Sequence, residues 1–204
     1  MIKIVDYGLG NVSAFRNVYK RLNIEAGTAR TADDLRDATK LILPGVGAFG
    51  RAMELLDHSN LRGPLEKLVL ERHVPVLGVC VGMQMLARSS DEGGARGLGW
   101  IDADVRAFGS LSDAIPIIPH MGWNDVTPVG DSPLFRDLAS PAARFYFLHS
   151  YCVVCDDERD VAAVSHYGVQ FGCAVRSGNI HGVQFHPEKS HQFGAQLLKS
   201  FASL

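Results

Sequence analysis

The chain has 204 residues, is 47% hydrophobic and 21% charged, and carries a formal net charge of -2. These values fit one globular domain with a sizeable core and exclude nucleic acid as the main partner, because phosphate binding needs a basic surface. The opening Met1-Ile2-Lys3-Ile4-Val5 lacks the apolar centre of a leader peptide and no apolar run approaches membrane-spanning length, so a cytoplasmic location without membrane contact is expected.

Met1 to Tyr7 reads as a strand. Asn11 can cap a following helix whose apolar residues Val12, Phe15, Val18 and Leu22 keep helical spacing. A short strand near Ala26 to Ala29 and a helix through Asp33 to Ala38 come next. Leu41-Ile42-Leu43 is a buried-strand run that stops at Pro44-Gly45-Val46-Gly47. One or two helices are expected between Phe49 and Arg72, with Leu65, Leu68 and Val69 on one face. Val74-Pro75-Val76-Leu77 then feeds Gly78-Val79-Cys80-Val81-Gly82, and the good helix formers Met83 to Arg88 follow. This alternation predicts a parallel sheet covered on both faces. From about Gly99 to Gln184 the chain changes character. Short β-rich runs such as Phe145 to Leu148 and Ile180 to Phe185, joined by turn residues, favour hairpins. A last helix started by Ser190 carries Phe193, Leu197, Leu198 and Phe201 inward. The expected fold is a single α/β domain over residues 1–204: three layers around a mostly parallel, flavodoxin-like central sheet, with a small antiparallel extension in the second half.

Cys80 stands where a buried strand turns sharply into a helix. Such a turn presents a nucleophile at the top of a sheet, with the N–H of the next residue, Val81, free to hold an oxyanion. The helix N-terminus favours the thiolate, the reactive form of cysteine. The thiol needs a base and a group that orients the base. His58, His73 and His191 lie in helical or polar surroundings and read as surface histidines. His186 ends the apolar strand Val183-Gln184-Phe185 and precedes Pro187-Glu188. Residues two apart in extended chain face one side, so His186 and Glu188 can project together, and a carboxylate there would fix the imidazole tautomer. Taken alone, the tripeptide also fits a strand-end histidine beside a surface glutamate. The glycines around Val46 permit unusual backbone angles, so the N–H of Val46 or Gly47 can join that of Val81 as an oxyanion donor. A plain turn is the other reading of that loop.

Two further patterns are set aside. Gly8-Leu9-Gly10 lacks the third glycine of a dinucleotide fingerprint, where Ser13 stands, so no cofactor is expected. Cys152 and Cys155 form a C-x-x-C inside a strand, where residues three apart point to opposite faces, so neither a metal site nor a redox pair is expected.

Nucleophile, base with orienter, and oxyanion donors each fall at a strand end. At this point the chain resembles the class I, triad-type glutamine amidotransferases, in which G-x-C-x-G and a distant H-P-E supply the triad. Asp6-Tyr7-Gly8-Leu9-Gly10-Asn11, Pro44 to Gly50, Gly82-Met83-Gln84, Pro119-His120-Met121-Gly122-Trp123-Asn124, His149-Ser150-Tyr151 and His186 to Ser190 are similar to the glutaminase subunits of imidazole glycerol phosphate synthases. Val79 and Val81 depart from the family's usual isoleucine and leucine, an apolar change that leaves the backbone donors in place. The resemblance implies hydrolysis of L-glutamine to glutamate and ammonia through a γ-glutamyl thioester on Cys80, with His186 and Glu188 completing the triad. It assigns Gln84, Glu92 and the segment His149, Ser150, Tyr151 to the α-amino and carboxylate groups of glutamine.

Ammonium is not a nucleophile, so ammonia must reach its acceptor without passing through water. This chain has no evident acceptor domain. The resemblance implies a heterodimer with a (β/α)8-barrel cyclase subunit that makes imidazole glycerol phosphate and an aminoimidazole carboxamide ribotide in histidine biosynthesis. It places Asn11, Trp123, Tyr146 and Lys189 near that interface. Three alternatives share these residues: a related subunit feeding sugar-precursor amidation, a stand-alone γ-glutamyl cysteine hydrolase, and a non-catalytic flavodoxin-like module.

Overall fold

A computed structural model describes residues 1–138 and 143–204. In chain order its strands are β1 (Ile2–Val5), β2 (Ala26–Ala29), β3 (Lys40–Gly45), β4 (Val76–Cys80), β5 (Ser89–Ser90), β6 (Ala103–Ala107), β7 (His120–Pro128), β8 (Ala143–His149), β9 (Tyr151–Cys155), β10 (Val161–Tyr167), β11 (Val169–Ser177) and β12 (Ile180–Val183). The α-helices are α1 (Val12–Arg21), α2 (Phe49–His58), α3 (Arg62–Glu66), α4 (Val81–Met85) and α5 (His191–Ala202).

The main sheet runs β2-β1-β3-β4-β12-β11-β10-β7-β8. Its first five strands are parallel, in the spatial order of a flavodoxin-like sheet. Strands β1, β4 and β12 are buried at every residue, as expected where helices cover both faces. Helix α1 packs against α5, and α2 against α4. The other four strands are antiparallel. Strand β8 alternates buried and open residues, the pattern of a sheet with one face in solvent. This antiparallel portion is more extensive than the short extension expected. It nearly equals the parallel block, and a separate sheet β5-β6-β9 packs over β11.

Local chemistry explains the other differences. Instead of a helix from Asp33 to Ala38 there is one 3-10 turn, Asp33–Leu35. The Asp34 carboxylate accepts from the N–H groups of Arg30 and Thr31, which starts the turn. Asp37 then pairs with Lys3 at 2.8 Å and draws the chain out toward β3. Asn11 caps α1 as expected, accepting from the Ala14 N–H at 3.2 Å. In α5, Leu197, Leu198 and Phe201 are buried, with Phe193 packed at the margin.

The tightest packing lies where β4 becomes α4. A Cβ on Gly82 would strike the Leu43 carbonyl of β3. A Cβ on Gly78 would sit 2.6 Å from the Gly82 oxygen and 2.8 Å from the Met83 Cα, all of them backbone atoms that cannot swing aside. Gly78→Ala is therefore expected to lower unfolding free energy by about 1–3 kcal/mol in urea titration, the cost of overpacking a rigid site. An unchanged midpoint would show that the elbow can relax.

Candidate active site

Loops from β1, β3, β4 and β12 meet beyond the carboxyl ends of the parallel strands, where open α/β sheets place their sites. Cys80 ends β4 and begins α4 with φ 57° and ψ -114°. A non-glycine residue in that region costs about 1–3 kcal/mol and persists only where its surroundings hold it. The surroundings here are the close backbone contacts of Gly78 and Gly82. The geometry aims the thiol across the sheet edge and leaves Val81 as the first helical residue, whose N–H has no partner one turn earlier.

His186 lies one strand away, after β12. Its N–H donates to the Tyr146 carbonyl at 2.9 Å, and its own carbonyl accepts from Ser190 Oγ at 2.6 Å. Ser190 Oγ also accepts from the Tyr146 N–H, so β8 clamps the turn that carries the imidazole. Pro187 starts a 3-10 turn that brings Glu188 Oε1 to 2.9 Å from His186 Nδ1. Both side chains are buried, and Glu188 Oε2 has no hydrogen-bond partner among the described residues. Burial alone would depress the imidazole pKa. Hydrogen bonds with Cys80 and Glu188 outweigh it and raise His186 to about 9. The three residues form a nucleophile–base–orienter line.

Cys80, Val81 and His186 open into a cavity of about 340 Å³. Val46, Gly47, Gln84, Glu92, His149, Ser150 and Tyr151 also line it, so the structure brings every sequence-predicted oxyanion and substrate residue to one place. Gly47 has φ +84°, as a loop needing glycine would. One Glu92 carboxylate oxygen accepts from the Phe49 N–H at 2.8 Å, at the start of α2 just beyond that loop. Gln84 Nε2 donates to the Tyr151 carbonyl at 3.2 Å and to Gln184 Oε1 at 3.0 Å.

Gln184 escaped the sequence reading. It is fully buried, and its Nε2 donates to Cys80 Sγ at 3.8 Å. The available signal was a lone amide in the apolar run Val183-Gln184-Phe185, two residues before His186. His120 was also missed as a site-supporting group. Its Nδ1 lies 2.9 Å from His149 Nε2 inside an aromatic enclosure.

Trp123, Tyr146 and Lys189 cluster beside the cavity. The Lys189 ammonium lies 5.8 Å from the Tyr146 ring centre, and Trp123 stacks on His191 at 5.2 Å. Asn11 lies apart from them in strand order, in the loop after β1, where it caps α1. Cys152 and Cys155 differ in exposure on β9, and burial pushes each thiol up to about 12, away from reactivity.

Comparison with known proteins matches the model of the family "Glutamine amidotransferase class-I" to residues 4–203. The imidazole glycerol phosphate synthase subunit HisH of Bdellovibrio bacteriovorus is 58% identical, with all of both chains covered. The HisH subunit of Leptospira interrogans is 49% identical over the same full lengths. Among solved structures, a glutamine amidotransferase crystal structure aligns with TM-score 0.75 at 21% identity, over 100% of this chain and 99% of that one. The structure of PurLQS from Thermotoga maritima gives TM-score 0.75 at 19% identity, over 99% and 97%. These two show likeness of fold.

The raised His186 pKa has a consequence for stability. An imidazole whose folded pKa exceeds its unfolded value stabilises the fold fully below about pH 6.5, and that stabilisation is lost as pH rises through about 9. His186→Gln should therefore flatten the fall in unfolding free energy between pH 6 and pH 9.5, as read by denaturant titration at both ends. A parallel fall in variant and wild type would contradict the raised value.

Proposed function

We infer the function from family and site together: the chain belongs to the class I glutamine amidotransferases, and its Cys80–His186–Glu188 line opens onto a cavity of about 340 Å³. It is a glutaminase subunit of imidazole glycerol phosphate synthase, acting in histidine biosynthesis. The observation that carries the site assignment is the buried 2.9 Å contact between His186 Nδ1 and Glu188. It leaves Nε2 for the thiol and stabilises the imidazolium.

In the proposed cycle the Cys80 thiolate attacks the side-chain amide carbon of L-glutamine, with the thiol proton held on His186. The N–H of Val81, with that of Val46 or Gly47, holds the oxyanion. Collapse of the tetrahedral intermediate breaks the carbon–nitrogen bond, and His186 gives its proton to the departing ammonia. A water deprotonated by His186 then cleaves the γ-glutamyl thioester, releasing glutamate and restoring the thiol. Gln84 and Glu92 supply acceptors for the α-ammonium group, and the segment His149, Ser150, Tyr151 faces the α-carboxylate.

The ammonia goes to a partner. Ile117, Ile118, Met121 and Trp123 flank the cavity-lining Pro119 in sequence and are exposed, as is the cavity-lining Leu148 paired with Met121, and clustered exposed apolar residues mark interaction sites. We assign this cluster, with Asn11, Tyr146 and Lys189, to a (β/α)8-barrel cyclase subunit in a heterodimer. Val46 is exposed in the loop after β3, and a Cβ on Gly47 would meet nothing within 4 Å. That space suits a peptide rotation completing the oxyanion hole when the loaded cyclase binds.

The deciding experiment is a glutaminase assay of the chain with and without the cyclase and its nucleotide acceptor. Turnover should rise on assembly, vanish in Cys80→Ala, and fall about 10²–10⁴-fold in Glu188→Gln, whose amide no longer stabilises the imidazolium. Equal turnover without the partner would favour a stand-alone hydrolase and remove the loop rotation.

A further inference from the structure

A continuous hydrogen-bond chain, buried at its imidazole pair and at Gln184, runs from β7 to the nucleophile, and its direction is determined at every link. The Tyr151 carbonyl can only accept, so His149 Nδ1, 2.8 Å away, carries a proton. His149 Nε2 is then the acceptor in the neutral ring, and His120 Nδ1 donates to it at 2.9 Å. His120 Nε2 accepts in turn from Asn124 Nδ2 at 3.2 Å. The Asn124 amide is fixed independently: Nδ2 donates to the His166 carbonyl at 2.8 Å, and Oδ1 accepts from the Asp125 N–H at 2.8 Å. Burial holds His120 down at about 4 and His149 at about 3, so both rings stay neutral under ordinary conditions. Tyr167 and Phe147 stack on His120 with centroids 4.1 and 4.7 Å away, while Phe108 meets His149 edge-on at 5.1 Å.

The same Tyr151 carbonyl accepts from Gln84, which spends its second amide hydrogen on Gln184 Oε1. Reversing the Gln84 amide would set its oxygen against two other oxygens, at 3.2 and 3.0 Å. Gln184 cannot compensate by reversing as well, since its oxygen would then face the Cys80 sulfur, which repels it in the reactive thiolate form. Gln84 therefore offers the cavity an oxygen and no hydrogen.

We propose that His120, His149 and Gln184 are positioning residues that lock the Gln84 amide in its acceptor-only orientation, so that the site selects the ammonium end of its substrate. This deepens the assignment of Gln84 to glutamine binding and rests on it. His120 does not line the cavity, so it reaches the substrate only through His149, which lines the cavity and shares the Tyr151 carbonyl with Gln84; the Gln84→Ala background separates the route through Gln84 from a direct effect of His149.

The test uses the full chain in complex with its cyclase. His120→Phe keeps a ring in the aromatic enclosure but removes the Nδ1 donor. It should raise KM for L-glutamine about tenfold, the effect of leaving one buried acceptor unpaired. With the transition-state contacts intact, kcat should move by less than about threefold. Gln184→Met should raise KM similarly. In a Gln84→Ala background, His120→Phe should change KM no further, which a general structural defect would not reproduce. Unchanged KM in both single variants, or equal effects with and without Gln84, would overturn the proposal. Nitrogen-15 imidazole spectra of the unaltered chain give a second reading that needs neither a folded variant nor turnover. Both His120 and His149 should be neutral Nδ1–H tautomers down to about pH 5, and an Nε2–H form at either ring would overturn the chain of donors. If the unaltered complex does not hydrolyse glutamine, the binding assignment of Gln84 fails, while the tautomers still decide whether the network exists.

Discussion

The site depends on the backbone of Cys80 being held in a conformation it would not choose. At φ 57° the residue stores strain, and only tertiary packing can hold it. That packing is a near-contact of backbones: β3 passes so close to the start of α4 that no side chain fits at Gly82, and Gly78 admits none beneath the turn. The fully buried strands β4 and β12 supply the stabilisation that offsets the strain. In return the thiol stands between the β3 loop, which carries the proposed oxyanion donors, and the β12 loop, which carries the proposed base. A relaxed Cys80 would leave all three groups present and none aligned.

The oxyanion loop shows the complementary design, anchored at its ends and free between them. The Tyr7 hydroxyl donates to the Pro44 carbonyl at 2.8 Å at the end of β3, and burial raises its pKa so that it remains a neutral donor. On the far side the Glu92 carboxylate accepts from the Phe49 N–H. Between these anchors Val46 is exposed and Gly47 occupies the left-handed region. Because Glu92 also lines the cavity, the far anchor of the loop belongs to the proposed substrate site. Under that proposal ligand and loop share one carboxylate, which ties substrate binding to the proposed oxyanion donors.

Much of this was legible in the sequence because it is written in local chemistry. The Gly78 to Gly82 run announces a turn that only small neighbours permit, and Pro187 between His186 and Glu188 announces two side chains on one side. The parallel half of the fold followed from apolar runs alternating with helical spacing. What escaped depends on long-range pairing. Neither the extent of the antiparallel half nor the partnership of His120 with His149 can be read from residues 29 positions apart until β7 and β8 are set in register. Gln184 was hidden differently. A buried amide is unremarked in a sequence until the partners that satisfy it, Gln84 and Cys80, are known. The short Asp33 turn shows the opposite limit, where a carboxylate cap and an ion pair overrode modest helix propensity.

Strand periodicity also explains how one ribbon can support the site on one face and present an exposed apolar face on the other. Along β7, His120 points inward while Met121 and Trp123 are exposed; along β8, Phe145, Phe147 and His149 are buried while Leu148 is open. His120 pairs with His149, and Met121 with Leu148, in consecutive rungs of the same ladder. The inner rung carries the neutral imidazoles that end on the Tyr151 carbonyl, and the outer rung forms the apolar surface at the cavity mouth. A rigid pleat cannot move one rung without the next. Under the proposed assignment of the outer face to the partner subunit, that subunit bears on the backbone that orients Gln84, and the antiparallel half of the sheet links the proposed interface to the proposed substrate site.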